Sequence, residues 1–246
     1  WLTGSYDPDL NLVYWSTASP YPYPELHKNT GGGALLYSNS ILALDADSGE
    51  IRWFFQMQPR DNFDMDHQDN PILADVEIDG AMRKVVYVLG KPGVLWALDR
   101  ETGEYLFHKQ LVAFQNLYDD IDSETGTVTM NDEIIPRNIG DAPLVCPGMR
   151  GGKLFQTNAY NPTTDAVYSP VSNECSIFEV VPLEESVSGA DYSVIQHMQG
   201  SNGQVGRLAA VSAATGDLLW SYDQRAALGS VLTTAGGLVF VGDLHR

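Results

Sequence analysis

Leu42-Ala43-Leu44-Asp45-Ala46-Asp47-Ser48-Gly49-Glu50-Ile51-Arg52-Trp53 returns as Trp96-Ala97-Leu98-Asp99-Arg100-Glu101-Thr102-Gly103-Glu104-Tyr105-Leu106-Phe107. A third copy runs Ala209-Ala210-Val211-Ser212-Ala213-Ala214-Thr215-Gly216-Asp217-Leu218-Leu219-Trp220. Each copy reads as strand, turn, strand. An Asp at the turn start bonds backbone amides, and the glycine takes the left-handed position that closes the hairpin. The final aromatic is placed to dock on a neighbouring unit. Asp45 and Asp99 lie 54 residues apart, and Asp99 and Ser212 lie 113 apart, close to two such steps. A period near fifty residues built only of strands predicts the blades of a β-propeller.

A second pair supports the repeat. Ser5-Tyr6-Asp7-Pro8-Asp9-Leu10-Asn11-Leu12-Val13-Tyr14 parallels Ala159-Tyr160-Asn161-Pro162-Thr163-Thr164-Asp165-Ala166-Val167-Tyr168, 154 residues later. Helical periodicity is scarce, and 23 glycines and 13 prolines punctuate β-branched and aromatic runs. The expectation is an all-β chain of roughly four to five blades. Gly236-Gly237-Leu238-Val239-Phe240-Val241-Gly242-Asp243 reads as a turn and a strand whose hairpin partner is missing. Residues 1–246 are therefore expected to form one partial propeller domain. Asp119-Asp120-Ile121-Asp122-Ser123-Glu124 opens an acidic excursion through Glu133, read as a solvated loop or protruding hairpin.

Fourteen Lys and Arg face 32 Asp and Glu, a net charge of −18. That field repels nucleic acid and anionic membranes and attracts cations or basic partners. No apolar run is long enough to span a membrane. Gly31-Gly32-Gly33 lacks the spacing of a dinucleotide loop, and Gly200-Ser201-Asn202-Gly203 is not a nucleophile elbow. The five histidines show no metal-ligand spacing, and His67 reads as a solvated loop residue. Cys146 and Cys175 form no metal or haem pattern. By counting alone, a disulfide and two buried thiols stand level.

The chemistry concentrates in Arg60-Asp61-Asn62-Phe63-Asp64-Met65-Asp66, where three carboxylates fall within six residues. Such a cluster is costly unless a cation, a donor network or solvent offsets it. On an extended segment Asp64 and Asp66 point the same way.

These stretches together resemble the pyrroloquinoline quinone (PQQ)-dependent alcohol dehydrogenases. The resemblance is carried by Gly4-Ser5-Tyr6-Asp7-Pro8, Ser16-Thr17-Ala18-Ser19-Pro20, Asp61-Asn62-Phe63-Asp64, Gly151-Gly152-Lys153 and the Ala-Leu-Asp hairpins. It implies an eight-bladed propeller with the quinone and a metal on its axis, of which early blades and the closing blade are absent here. Trp1 matches the tryptophan on which the quinone stacks, and Lys91 the cation that bonds its oxygens. Asp64 matches the catalytic base that takes the alcohol proton and also binds metal. Asp66 matches the extra aspartate of the lanthanide-using branch, where added carboxylate oxygens suit a trivalent ion. Ser19 stands where the family places a metal-binding asparagine, and Leu154 where it often has a quinone-contacting asparagine. Cys146 and Cys175 align with a family disulfide, which implies a periplasmic setting.

The resemblance thus implies an enzyme that oxidises a small alcohol with PQQ and a Ca²⁺ or lanthanide ion. Electrons would pass to a cytochrome c, and a homo-oligomer is compatible with the pattern. The competing reading is a non-catalytic propeller of the same ancestry serving as a scaffold or binding platform.

Overall fold

The computed structural model describes residues 2–67, 70–195 and 198–244. The first sheet contains β1 (Ser5–Asp7), β2 (Leu12–Ser16), β3 (Ser40–Asp45) and β4 (Ile51–Gln56), paired antiparallel in that order. A four-residue helix, α1 (Glu25–Lys28), interrupts the β2–β3 connection. The second sheet repeats the plan with β5 (Ile72–Ile78), β6 (Ala81–Leu89), β7 (Val94–Asp99) and β8 (Tyr105–Gln110). The chain then makes a hairpin, β9 (Tyr118–Ile121) and β10 (Val128–Met130), and a short strand, β11 (Leu144–Val145).

The third four-stranded sheet starts with β12 (Ala159–Asn161) and β13 (Ala166–Ser172). It is completed only after β14 (Cys175–Val180) and β15 (Ala190–Ile195), by β16 (Gly206–Ser212) and β17 (Leu218–Gln224). The inserted β14 and β15 join β11 in a three-stranded sheet of order β11-β14-β15. The last pair is β18 (Leu228–Thr233) with β19 (Val239–Asp243). The strand expected to lack a partner therefore has one, upstream rather than downstream. Among the described residues no helix is long and apolar enough to cross a membrane.

The four-stranded sheets stack face to face, and the strand period of two shows how. On β6, Val86 and Val88 belong to a core shared with Tyr14, Ala43 and Trp53 of the first sheet. Their alternates Val85, Tyr87 and Leu89 belong to a core shared with Val167, Ala209 and Val211 of the third. The same division repeats on β13 and β16, whose Tyr168 and Ala210 pack against Leu228 and Val231 of β18. Sheets covered on both faces give near-continuous apolar runs, and all six residues of β7 are buried. Among the described residues these are the blades of a β-propeller, three of them complete and β18–β19 as part of a fourth.

The docking aromatics fix the order of the blades. A side chain on Gly103 would meet the Trp53 ring at 2.8 Å, and one on Gly216 would meet Phe107 at 2.6 Å. Each repeat's aromatic thus lies on the turn glycine of the next repeat. The 113-residue interval between the second and third copies accordingly holds one blade enlarged by an inserted sheet, not two blades. Tyr14 donates its hydroxyl to the Arg100 carbonyl (2.7 Å), and Tyr87 does the same to Ala213 (2.6 Å). Both link a blade to the turn of its successor.

The acidic excursion is a hairpin that does not protrude but lies against the core through Tyr118, Val128 and Met130, and it carries the repeat's own turn. Asp122 Oδ1 accepts from the Glu124 and Thr125 amides and the Thr125 hydroxyl, as Asp99 Oδ1 does from Glu101 and Thr102. Cys146 and Cys175 are joined as a disulfide, fastening the segment after β11 to the start of β14.

Candidate functional site

Three loops meet at one end of the first, second and third blades: residues 58–67 after β4, 90–93 after β6, and 148–152 ahead of β12. Glycines let them touch. A Cβ on Gly90 would lie 2.9 Å from the Asp66 carbonyl oxygen, and one on Gly151 would lie within 2.7 Å of three Lys91 atoms. Backbone bonds tie the stack together, from Lys91 N to Asp66 O (2.9 Å) and from Gly152 N to Lys91 O (2.6 Å).

The Lys91 ammonium sits between two carboxylates, 2.8 Å from Asp64 Oδ2 and 2.9 Å from Asp66 Oδ2. It also donates to the Asp64 carbonyl oxygen at 2.7 Å. All three side chains are nearly removed from water, with Lys91 only 4% exposed. Ser19 approaches through its backbone: its amide donates to Asp66 Oδ1 at 2.8 Å, while its hydroxyl turns to the Pro20 carbonyl. Ser19 thus holds Asp66 in place and directs no side-chain oxygen to the carboxylate pair.

Burial pushes the Asp64 carboxyl up to about 7; Lys91 opposes this and Asp66 adds to it. A carboxyl so placed is poised to exchange a proton near neutrality. The Tyr23 phenol faces the same pair, and burial together with the Asp64 and Asp66 charges drives its pKa upward. Asp64 also has a left-handed backbone (φ 59°), uncommon for a residue other than glycine. The geometry brings together Asp64, Asp66, Lys91 and the Ser19 backbone. Trp1 lies outside the described residues. Leu154 is half-buried, with its amide bonded to Gln156 Oε1.

Two residues depart from the sequence reading. His67 is fully buried rather than solvated, packed against Gly90, and burial pushes its imidazole down to about 3. Asp61, the third carboxylate of the cluster, faces away from Lys91 and is 1% exposed. Its oxygens accept from Gln58, Asn39 and the amides of Phe63 and Met65. No spacing in the sequence separates this carboxylate from its two neighbours.

The pair of buried carboxylates offers hard oxygen donors to a hard cation, and the Lys91 ammonium, which neutralises part of their charge, competes with such an ion for the same oxygens. Among the described residues no three His, Cys, Asp or Glu side chains converge, so the carboxylate contribution rests on Asp64 and Asp66. Lys91, an inward ammonium at the same point, suits an anionic quinone. Its three N–H groups are engaged by Asp64 and Asp66, so contact with a ligand oxygen requires one of these bonds to be released.

The family described as glucose/ethanol/alcohol dehydrogenase, β-propeller domain, matches residues 1–125. The protein named XoxF from Paracoccus denitrificans is 31% identical across all of this chain and 42% of its own length. A lanthanide-dependent methanol dehydrogenase from Methylorubrum extorquens is 29% identical, again across all of this chain and 42% of its length. The solved structure of a europium-containing methanol dehydrogenase superposes with a TM-score of 0.88 at 28% identity, covering 98% of this chain and 42% of that one. The chain therefore spans about two fifths of the relatives it matches.

Proposed function

Because the chain belongs to the glucose/ethanol/alcohol dehydrogenase β-propeller family, we propose that it contributes the catalytic centre of a PQQ-dependent alcohol dehydrogenase. The observation that carries this reading is the convergence of Asp64 and Asp66 on Lys91, within 2.9 Å of its ammonium. Asp64 and Asp66 would bind a Ca²⁺ or lanthanide ion, with water and the quinone's oxygens as further ligands. Lys91 would bind a quinone oxygen, and Trp1 would stack on the ring. PQQ and its metal, when bound, supply the electrophilic carbonyl that takes up the hydride of the alcohol carbon.

The chain's own residues do the rest. Asp64 takes the hydroxyl proton of the substrate on a carboxylate oxygen. Lys91 offsets the negative charge of the two aspartates once the pocket excludes water. The Ser19 amide orients Asp66. Electrons then leave to a c-type cytochrome, for which the charge of −18 provides an attractive field toward a basic partner. The Cys146–Cys175 bridge supports a periplasmic setting. The substrate class is a small primary alcohol.

The test is reconstitution of the polypeptide that carries this chain with PQQ and either Ca²⁺ or La³⁺, followed by alcohol-dependent dye reduction. Turnover with either ion supports the dehydrogenase, and none with both leaves a propeller that serves as a scaffold. Asp66→Ala is expected to abolish lanthanide-supported turnover while sparing that with Ca²⁺. Equal loss with both ions would make Asp66 a generic ligand.

A further inference from the structure

The 58–67 loop contains a buried carboxylate whose bonds all go to the frame of the site rather than into it. Asp61 Oδ1 accepts from the Phe63 amide (2.9 Å) and from Gln58 Nε2 (2.9 Å). Its Oδ2 accepts from the Met65 amide (2.7 Å) and from Asn39 Nδ2 (3.2 Å). Asn39 Nδ2 also donates to the Met65 carbonyl at 2.8 Å, and Gln58 Oε1 accepts the Tyr118 hydroxyl at 2.8 Å. Lys28 donates to the Asp61 carbonyl. Asn39 and Gln58 are fully buried.

The two amides that Asp61 grips flank Asp64. The peptide between Asp64 and Met65 is held at both ends, its N–H by Asp61 and its carbonyl by Lys91. Asp64 between these grips has the left-handed conformation, which disfavours an ordinary side chain and persists only where its surroundings enforce it. We propose that Asp61 is a positioning residue for the dehydrogenase reaction, clamping the backbone on either side of Asp64 so that its carboxylate faces Lys91 and Asp66. The proposal rests on the reading of Asp64 as the reacting carboxylate. All four donors to the Asp61 oxygens are N–H groups, so the position requires a group that only accepts. An ionised carboxylate meets that need; an amide, in either orientation, sets its own N–H₂ against two donors.

The discriminating variant is therefore Asp61→Asn, nearly identical in shape. In the PQQ- and La³⁺-reconstituted protein it is expected to lower kcat about a hundredfold, with KM for the alcohol changed little, because the base is misplaced and not removed. Asp61→Glu, which restores an acceptor-only carboxylate, should recover part of that loss. A merely structural role would move neither ratio once the folded fraction is matched. In the metal-free protein, amide exchange at Phe63 and Met65 should accelerate about tenfold in Asp61→Asn. Unchanged exchange with unchanged kcat overturns the proposal.

The two readings fail separately. Wild-type protein that shows no turnover with PQQ and either Ca²⁺ or La³⁺ refutes the dehydrogenase, while accelerated exchange in Asp61→Asn still supports the clamp. If Asp61→Asn does not fold, Gln58→Met removes one donor to Oδ1. It should quicken exchange at Phe63 and lower kcat several-fold; no change in either refutes the clamp.

Discussion

At the scale of single residues, the site is a problem of like charges solved by one cation. Asp64 and Asp66 both bond Lys91 Nζ, and each group is largely removed from water. Removing one member of a buried ionic cluster leaves an uncompensated charge, at a cost of about 3 kcal/mol. Lys91→Met is therefore expected to lower the urea midpoint of the metal-free protein, and added La³⁺ should recover most of the loss by supplying the missing positive charge. A variant as stable as wild type without metal would show that the carboxylates do not depend on Lys91. The family resemblance singles out Asp64, Asp66 and Lys91, and the fold brings their side chains together. It gives no role to Asp61 or His67. A carboxylate three residues from Asp64 looks the same on paper whether it points toward the ammonium or toward four N–H donors.

At the scale of the element, the hairpin turn does the work, and its quality varies from copy to copy. Asp45, Asp99 and Asp122 each accept two backbone amides and a hydroxyl through Oδ1. In the third copy, the Ser212 hydroxyl accepts the Thr215 amide at 3.3 Å, a weaker version of the same bond. Ser212→Asp should supply the missing acceptor and raise stability by about 0.5 kcal/mol, read as a higher urea midpoint with an unchanged slope. A lower midpoint would mean that repulsion from Asp217 outweighs the added bonds. The hairpins were readable because a turn's chemistry is local. The copy at Asp122 was hidden in an acidic stretch, where Asp-Ser-Glu-Thr-Gly resembles solvated charge until its hydroxyl and amides are seen to converge on one oxygen.

At the scale of the whole molecule, stability comes from blades stacked on one another and fastened by polar links. Arg100, in the second blade's turn, donates to Asp7 Oδ2 in the first at 2.6 Å and to the Ala74 carbonyl at 3.0 Å, and pairs with Asp75. Burial works to raise the Asp7 carboxyl, but the Leu10 and Asp9 amides and Arg100 outweigh it, and the pKa falls below the usual range. A depressed folded-state value adds stability above the unfolded pKa of about 4, and that stability is lost as pH falls through the lower folded value. Urea midpoints measured from pH 5 to 2 should therefore drop steeply below pH 4, and Asp7→Asn should flatten that drop. An unchanged profile in Asp7→Asn would place the acid sensitivity elsewhere, for instance on Asp45 or Asp122, which are also depressed by bonds within their turns.

The sequence by itself determined the secondary structure class, the repeat and its docking aromatics, since strand alternation and turn chemistry act over a few residues. Only the tertiary structure decided that the second and third repeats are adjacent, that an inserted sheet fills the long interval, and which two of the three carboxylates face Lys91. Those outcomes depend on distant segments competing for the same space and the same hydrogen bonds, with partners 27 residues apart for Lys91 and Asp64 and 126 apart for Tyr87 and Ala213. A linear pattern carries no record of that competition.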